Sequence, residues 1–480
     1  MRGVNDGFYI LYKKFTYKVL NQNMSKTEIF KKENLEVIFK ENFDETKTKG
    51  IDKLNAIGFR NRKDELLNAT ERKIYDATYT FSPYVEVLKL KGRNKHPRII
   101  SIPTVRDRIV LFAIKEYLHD LFPDSINKKL PNSFIRDIKK YLSINKKSKY
   151  FLKLDITKYY DTINRKSLLQ KLKDKGVDIC VLRLIQNAIE TPTVPQNTSK
   201  SKYHLYETKK GVPQGLSISN VLAQIYMEEL DKTLNRRKYF YSRYVDDILI
   251  LNDDLISKYR FQNVEKEIKK INLDLNKPKT EFGKVSDGFI FLSYFISEKN
   301  VSIAEKNVQL FIRRIAGKFT WFKNGLSNKY DRPRWLKDDK DRFKKVFLEE
   351  LNEMITGIIS KNKKYGWLFY FAEINDKSLL FKLDKIIASF FEDLKAFENK
   401  PPKELKKLVR SYHVIRFDSN KNYLANYDEI NTIRKKREFL VFRGQIGSEI
   451  PYTNEEIEDY FEKFMKKTIN KLEKDLGYKY

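Results

Sequence analysis

FYSRYVDDILIL, residues 240–251, sets two apolar, β-prone runs on either side of the adjacent acids Asp246 and Asp247. Two acids between β-formers are what a tight hairpin needs if it is to present carboxylates at its tip. Upstream, FLKLDITKYYDTI (151–163) runs apolar, alternating residues into Asp155, followed by the aromatic pair Tyr159-Tyr160 and a further acid, Asp161. A single Asp in a turn is common and says little. Acids at the strand ends of two distant segments say more, because two strands must meet to bring Asp155 beside Asp246. Hard cations such as Mg²⁺ take oxygen ligands and keep substrate phosphates in their shell. Two of them, about 3.5–4 Å apart, activate an attacking hydroxyl and stabilise a leaving phosphate group.

Between the acidic segments lies KKGVPQGLSISNVLAQIYM (209–227). Gly211, Pro213 and Gly215 make a loop whose backbone can approach a ligand closely, and Ser217 or Ser219 is expected to cap the helix that follows. Working outward, residues 50–300 alternate short β-type runs with helical ones, an α+β pattern. VEVLKL (85–90) and PRIISIP (97–103) are predicted strands joined by the basic turn KGRNKH, and a helix is expected over 107–122. Beyond 300 the pattern turns helical. Val308, Phe311, Ile312 and Ile315 sit at helical spacing, and a stripe from Leu379 through Ile387 to Leu394 is amphipathic. ENKPPKEL (398–405) marks a boundary, since paired prolines cannot continue a helix. Thr453 and Glu456 form a capping box for a last helix burying Ile457, Phe461, Phe464, Ile469 and Leu472, which Gly477 ends.

The 480 residues exceed one ordinary core. Lys and Arg number 96 against 64 Asp and Glu, a formal charge of +32 spread along the chain, so a polyanion is the expected partner and nucleic acid the commonest one. The 29 Tyr and 33 Phe suit base stacking, although core filling accounts for most of them. One cysteine, Cys180, leaves no disulfide within the chain and no Cys-based zinc site, and four scattered histidines argue against an appended His-metal nuclease. The N-terminal residues do not read as a cleavable signal, and the longest apolar run, FIFLSYFI (289–296), is too short to span a bilayer. The chain reads as soluble and cytoplasmic, with no membrane partner.

At this point the chain resembles the bacterial reverse-transcriptase family. YVDD (244–247) is similar to that family's Tyr-x-Asp-Asp signature, LDITKYYDTI to its first acidic motif, and GVPQGLSISN to its template-handling loop. KTKGIDKL (47–54) and PRIISIPTVRDRIV (97–110) resemble the opening and fingers motifs of group II intron and retroelement enzymes. LDLNKPKTEF (273–282) and FLSYF (291–295) resemble the two motifs that follow the acidic hairpin. The resemblance runs unbroken over residues 47–320. It implies a right-hand polymerase: an N-terminal extension (1–45), fingers and an antiparallel palm sheet with helices (46–300), a helical thumb (301–396) and a small helical C-terminal extension (397–480).

Roles follow from the resemblance. Asp155, Asp246 and Asp247 are the expected catalytic acids. With the backbone carbonyl of Ile156 they would hold two Mg²⁺ ions, Mn²⁺ being a substitute. Tyr160 matches the aromatic gate that crowds a ribose 2′-hydroxyl, with a core tyrosine as the alternative. Arg98, with Lys89 or Lys91, matches the fingers cations that grip a triphosphate, a task suited to a guanidinium fork. Gln214 is expected beneath the incoming nucleotide or template. Lys279 either meets the pyrophosphate or is a solvated surface lysine. Arg106 and Arg108 are expected to support fingers packing or template phosphates, and Arg313 and Arg314 to grip RNA from the thumb.

The implied reaction is RNA-directed DNA synthesis from deoxynucleoside triphosphates. The economy of parts and KKYGWLFYFAEINDKSLLFKLD (363–384) resemble the stand-alone, abortive-infection type of phage-defence enzyme. Such enzymes are associated with a noncoding RNA template, homo-oligomers and protein-primed DNA. Tyr478 and Tyr480, beyond Gly477, are candidate priming residues against the alternative of an inert terminus. The other readings are a retron or stand-alone intron-type enzyme, a non-catalytic RNA-binding protein of polymerase shape, and an RNA-templated RNA polymerase, against which Tyr160 argues.

Overall fold

The computed structural model describes residues 28–90, 96–126, 129–144, 149–253, 258–418, 422–474 and 476. The chain divides into two units, Met1–Lys128 with Leu152–Phe282 and Lys129–Phe151 with Gly283–Tyr480. The first is α+β. Strands β1 (Tyr84–Lys89), β2 (Arg98–Ile102), β3 (Tyr150–Asp155), β4 (Thr193–Val194), β5 (Phe240–Tyr244), β6 (Asp247–Asn252) and β7 (Glu281–Lys284) form two sheets, ordered β2–β1–β4 and β5–β6–β3–β7. β1 and β2 pair antiparallel with Val85 opposite Ile102 and Lys89 opposite Arg98, the two strands expected from sequence. Residues 91–95 of the turn that joins them lie outside the described residues.

Strand β6 is internal in its sheet, which is why its run Ile248, Leu249, Ile250 and Leu251 is buried without the alternation of a one-faced strand. Helix α1 (Val105–Leu121) begins two residues before its predicted start, because Thr104 accepts the Asp107 amide at 3.1 Å as a side-chain cap. The first half of helix α2 (Ser219–Asn235), as far as Met227, is apolar nearly all round, and Val221, Leu222, Ile225, Tyr226 and Met227 sit in the same core as Leu152, Leu154 and Ile248. An interior helix has no face to leave polar. Neither Ser217 nor Ser219 caps α2: the N-cap position is Ile218, and the Ser219 hydroxyl donates instead to the Pro213 carbonyl at 2.6 Å, closing the loop on itself.

In the second unit FIFLSYFI folds as a hairpin of β8 (Phe289–Phe291) and β9 (Tyr294–Ile296), with Leu292 and Ser293 at φ 49° and 67°, and β10 (Val301–Ile303) adds a third antiparallel strand. Helices α3 (Glu305–Ser327), α4 (Lys340–Thr356), α5 (Lys377–Ser389), α6 (Ile433–Phe442) and α7 (Asn454–Glu473) carry the expected helical part. The capping box of α7 is present in both directions, and Ile457, Phe461, Phe464 and Leu472 are buried. The structure adds a small sheet, ordered β12–β11–β13, from β11 (Ile358–Ser360), β12 (Lys363–Tyr365) and β13 (Ala425–Asn426). These strands, of two or three residues each, are too short to show a period of two. β11 and β13 come from either side of ENKPPKEL, and Ile358 shares one core with Tyr427, Leu440, Phe461 and Phe464. Among the described residues no helix is long and apolar enough to cross a membrane.

Candidate active site

The β5–β6 ladder closes with Tyr244 opposite Asp247, leaving Val245 and Asp246 as a two-residue tip. Val245 has φ 57°, a conformation that a β-branched residue adopts only under constraint. The constraint is visible: the Arg243 guanidinium donates to the Val245 carbonyl at 2.7 Å and to Asp231 of α2 at 2.7 Å, and the Tyr241 hydroxyl donates to the same carboxylate at 2.6 Å. The tip that carries Asp246 is therefore braced from below by a nearly buried ion pair.

Asp155 ends β3. The next residue, Ile156, is buried and bridges Leu275, while the backbone bonds of that bridge run from Asn276 to the Asp155 carbonyl (2.8 Å) and from Thr157 to the Asp274 carbonyl (2.9 Å). Groups alternate along an extended chain, so the Ile156 carbonyl points away from Leu275. The Asp155 carboxylate accepts the Asn276 amide at 2.8 Å and the Lys279 ammonium at 2.9 and 3.1 Å. Burial raises the Asp246 carboxyl above the ordinary carboxylate range. A backbone hydrogen bond pulls against the rise, the charge of Asp155 adds to it, and Arg98 and Lys279 offset it. The two acids thus feel each other, with two cations in the same field.

Tyr160 belongs to this field. Its phenol is pushed well up by burial and then by Asp246, with Arg98 opposing. Arg98, opening β2, has a buried Nε with no hydrogen-bond partner among the described residues. The loop at 211–215 is stitched to the Tyr160 turn, with Val212 N–H to the Tyr160 carbonyl at 2.7 Å and Gly211 N–H to the Ile163 carbonyl at 2.8 Å. Gln214 accepts the Ser101 amide on its carbonyl (2.7 Å) and donates its side chain to Asp161 at 3.1 Å. Gly211 has φ 87°, and a Cβ there would lie 2.7 Å from the Asp161 carbonyl oxygen. Gly211→Ala is expected to destabilise this unit by about 1–3 kcal/mol. Gly176→Ala, at φ 79° with open space around it, measures the strain without the clash. Equal urea midpoints for the two variants would show that the close approach costs nothing.

The remaining candidates are dispersed. Asp247 opens β6 opposite Tyr244. Lys89 is exposed, across the ladder from Arg98, and Lys91 lies outside the described residues. Arg106 turns inward: it donates to the fully buried Asp107 (2.8 Å), to the Thr80 carbonyl and to Ser82 (each 3.2 Å), and it covers the Tyr79 ring. Arg108 donates to Thr46 at 3.1 Å. Arg313 is exposed on α3, whereas Arg314 donates to the Leu472 carbonyl at 3.0 Å in the last turn of α7. Tyr478 and Tyr480 lie outside the described residues. Sequence reasoning missed Asn276 and the Asp231–Arg243 brace. Asn276 stands within LDLNKPKTEF, and only the bridge to Ile156 shows what its amide holds.

Among the described residues, no three His, Cys, Asp or Glu side chains cluster tightly enough to cage a metal ion. The candidate donors are all oxygens: the carboxylates of Asp155 and Asp246, whose charges influence each other, and the carbonyl of Ile156, next in the chain after Asp155. Such a set fits a hard cation that takes one or two carboxylates and completes its shell with substrate phosphates. Lys279 supplies positive charge to Asp155 in this state.

Residues 89–296 match the family model described as reverse transcriptase (RNA-dependent DNA polymerase). Protein YkfC of Escherichia coli K12 is 22% identical over 309 residues, covering 54% of this chain and 79% of that protein. The group II intron-encoded protein LtrA of Lactococcus lactis is 25% identical over 205 residues, 41% of this chain and 32% of that protein. The retron Ec83 reverse transcriptase of Escherichia coli is 29% identical over 167 residues, 34% of this chain and 52% of that protein. The chain therefore spans about a third to a half of the intron and retron proteins. Over residues 89–296 the chain is thus similar to the reverse-transcriptase family, with bacterial proteins among the relatives it matches.

Proposed function

We propose that this protein is an RNA-directed DNA polymerase whose active site is built on Asp155 and Asp246. The observation that carries this reading is the shared electrostatic field of those acids with Arg98, Tyr160 and Lys279, inside the segment matched by the family. Asp155, Asp246 and the Ile156 carbonyl would hold two divalent cations, Mg²⁺ being the hard ion this oxygen set suits, with Asp247 as a further carboxylate. When bound, such ions activate the primer 3′-hydroxyl and neutralise charge on the leaving pyrophosphate. The unpartnered Nε of Arg98 and the ammonium of Lys279 would hold triphosphate oxygens, Lys279 leaving Asp155 as phosphate arrives. Gln214, tied to Asp161, would position the nucleotide against the template. Residues 46–300 serve as fingers and palm, 301–396 as thumb and 397–480 as an extension of it.

The test is single-nucleotide incorporation on a primed RNA template with Mg²⁺. Incorporation of deoxynucleotides supports the reading, and none with any primer, Mg²⁺ or Mn²⁺ removes it. Tyr160→Ala is expected to admit ribonucleotides, lowering sugar discrimination in kcat/KM by about 10–200-fold, the range that steric differences in a pocket command. Unchanged discrimination would make Tyr160 a core residue.

The biological setting we propose is bacterial antiphage defence of the abortive-infection type, in the cytoplasm, with DNA made on a noncoding RNA. Support comes from the resemblance of 363–384 to that group. A retron role is the second reading, favoured by the retron relative. Sequencing the RNA that co-purifies with the protein separates them: a retron RNA encoded beside the gene carries the second reading.

A further inference from the structure

A cavity of about 880 Å³ opens in the second unit beside α3, α4 and α7. Its wall alternates aromatic and cationic side chains. Trp321, Trp335 and Tyr460 face it, as do Lys467 and Lys471 of α7 and Lys474 at its C-cap, spaced i, i+4 and i+7. The acids of the wall are largely taken: Glu350 is paired with Lys318, and Glu353 with Arg443. Among the described residues no ion pair engages the three lysines. The Trp335 indole is held in place. Its ring lies where a Cβ on Gly447 would meet it at 2.8 Å, and the Arg334 guanidinium stands 4.7 Å from its centroid.

We infer that this cavity binds a phosphorylated nucleotide, its base against Trp335 and Tyr460 and its phosphates on Lys467, Lys471 and Lys474. The volume lies in the range of small-molecule sites. Aromatic faces stack any base, and a row of unpaired ammonium groups takes phosphate oxygens. An inorganic anion alone would leave the indoles unused, and an apolar ligand would leave the lysines unused. The nucleotide is either free or the 5′-phosphorylated end of a strand. The inference does not depend on the polymerase reading, because Asp155 and Asp246 lie in the other unit.

The chain's three tryptophans make the test local. Trp321 and Trp335 line the cavity, and Trp367, the third, is buried at 1% exposure. The full chain is titrated, in EDTA to suppress metal-dependent binding elsewhere, with dATP, deoxyadenosine, tripolyphosphate and a 5′-phosphorylated oligodeoxyadenylate. Expected are saturable tryptophan quenching by dATP or by the strand, at least tenfold weaker binding of deoxyadenosine, and no quenching by tripolyphosphate. Lys467→Glu with Lys471→Glu should weaken nucleotide binding tenfold or more, and Lys471→Gln carries the same test if the double reversal lowers the melting temperature. Quenching by dATP identifies a free nucleotide, and quenching by the strand alone identifies a strand end. An Asp246→Asn protein should titrate like wild type whether or not the polymerase reading stands. No saturable quenching with any probe, equal quenching by tripolyphosphate, or titrations unchanged in the lysine variants would overturn the inference.

Discussion

An Asp246→Asn protein is expected to lose deoxynucleotide incorporation by at least about 10³-fold, the scale on which removal of one group that stabilises only the transition state is felt. It is also expected to melt at a higher temperature than wild type in EDTA. Asn has the shape of Asp but not its charge, so the hairpin tip keeps its packing while a hard-cation ligand is lost. The stability gain follows from the raised pKa of Asp246. Burial first, and the Asp155 charge beside it, make the folded protein a worse host for the carboxylate than the unfolded chain. As pH rises from the ordinary carboxylate value through the raised one, the unfolded state releases its proton first, and stability falls. At neutral pH the wild type carries that whole cost, and Asn removes it. Incorporation at near wild-type rate would sink the assignment of Asp246. A lowered melting temperature would show that the carboxylate is a structural acceptor instead.

The largest expected loss of stability lies in the second unit, at Glu353. Its carboxylate, 7% exposed, accepts from the Arg443 guanidinium, 3% exposed, and from the Tyr427 hydroxyl. Arg443 also meets Glu349 at 3.1 Å, yet among the described residues its Nε and Nη1 have no hydrogen-bond partner. Glu353→Ala would leave the buried Arg443 with only the half-exposed Glu349 and the buried Tyr427 phenol without its acceptor, a change that costs about 3–5 kcal/mol. Replacing both partners by apolar residues of similar volume, Glu353→Leu with Arg443→Met, should recover most of that loss, because the expense lies in an uncompensated buried charge. Urea unfolding followed by tryptophan fluorescence reads this unit alone, since Trp321, Trp335 and Trp367 all lie within it. A double variant as unstable as the single one would mean that the pair holds the packing by shape.

Much of the first unit was legible from local pattern. The strands of FYSRYVDDILIL and FLKLDITKYYDTI and the β1–β2 pair there, like the α7 capping box in the second unit, depend on apolar runs, turn chemistry and caps, which neighbours in sequence carry. The small β12–β11–β13 sheet was not legible, because its strands owe their conformation to a partner far along the chain. The same distinction divides the candidate site. Asp155, Asp246, Tyr160 and Gln214 stand at recognisable spacings. Sequence alone could not say that Asn276 and Lys279 hold Asp155, that Asp231 and Arg243 brace the tip, or that Arg106 and Arg314 look alike in composition to phosphate binders yet turn to Asp107 and to the end of α7. The residues alone carried the locally encoded elements, the β1–β2 and β5–β6 strands and the capped last helix, and marked Asp155 and Asp246 at the ends of β-type runs, because those follow from bonds and side chains a few residues apart. Which charge meets which emerged with the packing of the folded chain, because the direction of a long side chain and the dielectric around it are set by the segments packed against it, near or far in sequence.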